Sequence, residues 1–114
     1  MALVLVVEDE FLVRKNAVDL IEQAGHHVLE AADADEAIRI LESRNDIQIV
    51  FSDVQMPGTM DGVRLLQIIR DRWPPIRLIL TSGRALSPNS TLPSGSVFVP
   101  KPYSFDALQR LLTD

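Results

Sequence analysis

There is no cysteine among the 114 residues. That absence removes a disulfide framework, a thiol nucleophile and any thiolate metal site, and it fits a reducing compartment. Concentrated positive charge is missing too. Eleven Lys and Arg stand against sixteen Asp and Glu, for a net charge of −5, and no stretch gathers the basic residues together. Neutralising phosphates needs a basic face, so direct nucleic-acid binding is not expected. No apolar run approaches the ~18 residues of a membrane span. The opening MALVLVVEDE has too short an apolar stretch, and no basic start, for a signal peptide. The expected location is cytoplasmic, without membrane contact. Apolar residues at 46% and charged residues at 24% are ordinary for a globular chain. The length predicts one domain, 1–114.

What is present alternates. Leu3-Val4-Leu5-Val6-Val7 reads as a strand buried on both faces. Val13, Ala17, Leu20, Ile21 and Ala24 then keep helical spacing up to a stop at Gly25. A short strand at about 28–31 precedes Asp33 and Glu36, which are spaced as a capping box for a helix with Ala34, Ala37, Ile38 and Leu41 inward. A third strand spans 47–52. Asp61 is placed to cap a helix carrying Leu65, Leu66, Ile69 and Trp73, which Pro74-Pro75 ends. Arg77–Thr81 and Val97–Val99 are the fourth and fifth strands, and a last helix runs from Ser104. Residues 83–96, GRALSPNSTLPSGS, interrupt this rhythm with two prolines, two glycines and five hydroxyl residues. The fourth helix is therefore expected to be weak or missing. The predicted class is α/β: a flavodoxin-like, doubly wound, five-stranded parallel sheet in the order 2-1-3-4-5.

On that topology, ligands bind where the strand order reverses, beyond the carboxyl ends of strands 1 and 3. Glu8-Asp9-Glu10 follow the first of these strands and Asp53 the second. Ionised carboxylates ~5 Å apart at an effective dielectric of ~20 repel by roughly 3 kcal/mol per pair. A hard divalent cation relieves this, and an oxygen-only donor set favours Mg²⁺ over zinc. Strand 4 ends in the Thr81 and Ser82 hydroxyls, and strand 5 leads to Lys101 between Pro100 and Pro102. A cation, an ammonium and a hydroxyl around one carboxylate suit a phosphoryl group, with Asp53 placed to accept it as an acyl phosphate. His26-His27 has no further ligands nearby and reads as a polar turn.

Glu8-Asp9, Asp53-Val54-Gln55-Met56-Pro57, Met60-Asp61-Gly62, Thr81-Ser82 and Lys101-Pro102-Tyr103 occur in this order at strand ends. In this the chain resembles the receiver domains of bacterial two-component response regulators, of the chemotaxis-receiver type. The resemblance covers essentially all 114 residues. It implies that Asp53 is the phosphoacceptor, and that Asp9 binds Mg²⁺ directly, Glu8 through water and Gln55 through its backbone carbonyl. Thr81 and Lys101 would contact the phosphoryl group, Phe98 would hold the aromatic switch position, and the Lys101-Pro102 bond would be cis. The implied partners are a sensor histidine kinase or histidine phosphotransfer protein, and a downstream protein that the sequence does not identify. Such a domain catalyses only its own phosphorylation and dephosphorylation.

Three departures accompany the resemblance. The loop Pro57–Gly62 is one residue longer than usual, Phe98 lacks the hydroxyl of the commoner tyrosine, and the 83–96 segment is poor in helical pattern. Local rearrangement of that segment on phosphorylation is the expected signal. A metal-dependent phosphohydrolase of the haloacid-dehalogenase type is the rival class. Such enzymes carry Asp-x-Asp after their first strand, whereas Asp53-Val54-Gln55 lacks the second acid and lies on strand 3. A nucleotide or flavin binder on the same fold is the other alternative, and no Gly-x-Gly-x-x-Gly or Walker-type loop supports it.

Overall fold

Runs of Val, Leu and Ile too long for one buried face make the central strands. In the computed structural model, which describes residues 2–54, 62–83, 92–93 and 95–113, these are β1 (Leu3–Val7), β3 (Ile49–Asp53) and β4 (Arg77–Ser82). The edges are β2 (His27–Ala31) and β5 (Val97–Pro100). All pair in parallel, in the order β2-β1-β3-β4-β5. Parallel neighbours need crossovers, supplied here by α1 (Phe11–Gln23), α2 (Ala34–Ser43) and α3 (Gly62–Arg72), with α4 (Phe105–Thr113) following β5.

The two-residue period of the strands sorts the core into two layers. Leu5, Val7, Val50, Leu78 and Leu80 pack with Ala37 and Leu41 of α2 and Leu65, Leu66 and Ile69 of α3. Val4, Val6, Ile49, Phe51, Ile79 and Val99 pack with Ala17, Val18 and Ile21 of α1 and Leu108 and Leu112 of α4. Helices thus cover both faces, as the unbroken apolar runs of β1 and β4 demanded.

Local signals hold the helix ends. Gly25 takes φ 94°, its N–H reaches the Glu22 carbonyl at 3.0 Å and the His26 N–H reaches Ile21 at 3.3 Å, which is the Schellman pattern. Asp33 accepts the Glu36 N–H at 2.8 Å, while the Glu36 carboxylate takes the N–H of Ala32 at 2.7 Å. The reciprocal bond therefore lands one residue before the usual capping-box position. Ser104 caps α4 through the Ala107 N–H at 3.1 Å. Trp73 lies one residue beyond α3 but stays on its inward face: its N–H reaches the Ile69 carbonyl at 2.7 Å, and it packs half-buried against the layer of Leu65, Leu66 and Ile69, with the Arg72 guanidinium 4.3 Å from its ring centre.

The expected Asp61 cap and the expected weak or missing helix fall on 61 and on 84–91 and 94, outside the described residues. Among the described residues, no helix is long and apolar enough to cross a membrane.

Candidate functional site

β1 and β3 are adjacent at the point where the order reverses, so their carboxyl ends open on one cleft. Glu8 directly follows β1. Its N–H continues the ladder to the Ala31 carbonyl at 3.0 Å, and the residue is only 4% exposed. Asp53 ends β3, 6% exposed and in register with Thr81 of β4. β3 therefore runs one residue further than the apolar pattern indicated, because ladder pairing with Thr81 continues past the last apolar side chain. Asp9 is exposed. Carboxylate oxygens of Glu8, Asp9 and Asp53 lie within 4.8 Å of one another.

The ammonium of Lys101 sits between two of these acids, 2.8 Å from Asp53 Oδ2 and 2.9 Å from Glu8 Oε1. Its backbone N–H donates to the Ser82 carbonyl at 2.9 Å, which anchors the loop after β5 on the end of β4. The Lys101-Pro102 peptide is cis. Simple three-way repulsion is thus partly offset: Lys101 places one positive charge between the two buried acids, and Asp9 faces solvent.

Burial pushes the Glu8 carboxyl up to about 7, against the lowering effects of Lys101 and the Glu10 N–H. Burial alone would lower the Lys101 ammonium, but its bonds to Asp53 and Glu8 prevail and raise it to about 12. Lys101 therefore stays charged, while burial favours the protonated form of Glu8.

Thr81 is 1% exposed, and its Oγ1 is buried without a hydrogen-bond partner among the described residues. A buried hydroxyl without a partner is costly unless something fills the need. Across the ladder from Asp53, that is a place for an incoming acceptor oxygen.

Beside the cleft, Leu12, Val13, Asn16, Lys101, Pro102 and Tyr103 line a groove of about 490 Å³. The Tyr103 ring stands edge-on to Phe51 at 5.4 Å. Phe98 is half-buried against the layer under α2 and α3.

Glu8, Asp9, Asp53, Thr81 and Lys101 therefore converge, Phe98 lies on β5 nearby in sequence, and Gln55 falls outside the described residues. Two contacts were not read from the sequence. Gly62 donates to the Val54 carbonyl at 2.8 Å, and a Cβ there would run into the Asp53 carbonyl. The Asp-Gly pair was a signal for this. Arg14 donates to the Glu8 carbonyl at 2.8 Å, and no local pattern announces that.

The chain as a whole has known relatives. The family model of the response regulator receiver domain matches residues 4–113. The sensor kinase CckA of Brucella abortus is 40% identical over 111 residues, covering 94% of this chain and 12% of that protein. The response regulator FleR of Pseudomonas aeruginosa is 34% identical over 114 residues, covering 97% of this chain and 24% of its own length. This chain thus spans a quarter or less of these curated relatives. Among solved structures, TrrA of Thermotoga maritima, in complex with Mg²⁺-BeF, superposes with a TM-score of 0.88 at 26% identity, covering 99% of this chain and 97% of that one.

Proposed function

The chain belongs to the response regulator receiver domain family, signalling modules that act as phosphoacceptors in phosphorelays, and on that premise we propose that residues 1–114 form one receiver domain phosphorylated on Asp53. The observation that carries this reading is the buried Thr81 hydroxyl, without a partner among the described residues, across the β3–β4 ladder from Asp53. One Asp53 oxygen attacks phosphorus, an acyl phosphate forms, and the bond to the donor breaks with its electron pair leaving on the donor. A phosphohistidine donor, protonated on its other ring nitrogen, would leave as neutral imidazole. Thr81 Oγ1 donates to a phosphoryl oxygen. The Lys101 ammonium, already 2.8 Å from Asp53, follows the negative charge from the carboxylate to the phosphoryl group.

The oxygen-only cluster of Glu8, Asp9 and Asp53 fits Mg²⁺. Asp9 and Asp53 would hold it directly, Glu8 through water and Gln55 through its carbonyl. When bound, Mg²⁺ supplies the positive charge that balances the phosphoryl oxygens.

The donor is a sensor histidine kinase or phosphotransfer protein in the cytoplasm. Leu12, 78% exposed, lines the groove that Lys101 shares with the cleft, and Phe11 beside it is 61% exposed. Together they form the apolar face such a protein would meet. Self-phosphorylation from small donors, self-dephosphorylation and a Phe98-linked change in the surface seen by a downstream protein complete the proposal.

Mg²⁺ should raise the melting temperature. At ~10-fold excess over Kd the stabilisation is about 1.4 kcal/mol. A melting curve indifferent to millimolar Mg²⁺ would contradict the site.

A further inference from the structure

Glu8 and Asp9 are consecutive, yet one is buried and the other exposed. Both orientations depend on the peptide that joins them. The Glu8 N–H is tied to Ala31 and its Oε2 accepts the Glu10 N–H at 3.0 Å. The carbonyl of Glu8, which belongs to the Glu8–Asp9 peptide itself, receives Arg14 Nη1 at 2.8 Å. Arg14 is itself held on two further sides. Its Nε pairs with Glu30 Oε1 on β2 at 3.1 Å, and its guanidinium lies 5.6 Å from the centre of the Phe11 ring. The side chain is only 15% exposed. A planar fork fixed in this way is well suited to hold one peptide plane.

We propose that Arg14 is a positioning residue for the acidic cleft: by clamping the Glu8 carbonyl it fixes the Glu8–Asp9 peptide, so that Glu8 turns inward to Lys101 while Asp9 faces the metal position. The inference rests on the proposed Mg²⁺ site and adds a residue to its support. Loss of the clamp frees the peptide to rotate, and an acid displaced by even ~1 Å loses much of its value in a site that demands near-octahedral geometry.

Charge alone gives the opposite expectation. Arg14 is a cation close to an acidic cluster, so removing it should strengthen Mg²⁺ binding if it acts only through its field.

The test is Mg²⁺ titration of the folded protein well below its melting temperature, comparing wild type with Arg14→Gln and Arg14→Lys. Arg14→Lys keeps the charge but cannot reach both Glu8 and Glu30, and it serves if Arg14→Gln fails to fold. The clamp predicts Mg²⁺ affinity weaker by about tenfold in Arg14→Gln and by a smaller factor in Arg14→Lys. Without metal, it also predicts faster amide exchange at Glu10, whose N–H is held by the inward Glu8 carboxylate. Unchanged or tighter binding in the variants, with wild type binding normally, overturns the clamp and leaves the metal site standing. Failure of wild type to bind Mg²⁺ overturns both.

Discussion

Lys101 is the residue whose environment most changes the energetic account. An exposed lysine contributes little to stability, but this one is 23% exposed and bridges carboxylates that are 5% and 9% exposed. At pH well above the Glu8 value of about 7, Lys101→Ala removes the ammonium between the two ionised acids, and it should cost about 2 kcal/mol in urea unfolding. Adding Glu8→Gln should recover most of that loss, because only one buried charge remains. Equal losses in the single and double variants would show that the ammonium does not offset repulsion. His26 bears on stability elsewhere, where it stitches the start of β1 by accepting the Ala2 N–H on Nδ1 at 2.9 Å. Burial holds the ring below its ordinary 6.5. The folded pKa lies under the unfolded one, so the stabilisation by the neutral ring is complete above pH 6.5 and is lost as pH falls through the folded value. Urea midpoints measured from about pH 7.5 down to about 5 should therefore fall more steeply in wild type than in His26→Gln. Parallel declines would show that the ring gains nothing from being neutral in the fold.

At the scale of elements, α3 begins against the backbone of Asp53 and Val54. Gly62 is required there for space, since any Cβ meets the Asp53 carbonyl, whereas Gly25 is required for its φ of 94° and a Cβ added to it would meet nothing within 4 Å. Gly62→Ala should cost about 2–3 kcal/mol and also slow modification of Asp53 by a small phosphodonor. Gly25→Ala should cost about 1 kcal/mol and leave that rate unchanged. Equal rates in the two variants would separate α3 from the chemistry. Most elements were legible because local rules act within a few residues: the apolar runs of β1 and β4, the Asp33 cap and the Gly25 stop each depend on near neighbours. Misplacement arises where tertiary contacts decide. β3 extends to Asp53 because Thr81 lies across the ladder, whereas Trp73 keeps the inward packing its spacing indicated, against the layer of Leu65, Leu66 and Ile69.

For the whole molecule, the sheet order is what turns scattered acids into a site. Strand ends at Glu8 and Asp53 become legible as partners once the order 2-1-3-4-5 is inferred. The Lys101 bridge to Glu8, 93 residues away in sequence, and the Arg14 clamp on a backbone carbonyl are not legible, because residue types alone carry no record of side-chain geometry. The same topology places Leu12 of α1 on the groove that Lys101 also lines, with the exposed Phe11 next to it. The central claim is that this assembly delivers a phosphoryl group to Asp53 and to no other residue. The most direct measurement is intact mass followed by peptide mapping after incubation with a small phosphodonor and Mg²⁺, for wild type and Asp53→Asn. The account predicts one added phosphate on Asp53 in wild type and none in the variant. Phosphate on Thr81, Ser82 or a histidine with Asp53 unmodified would contradict it.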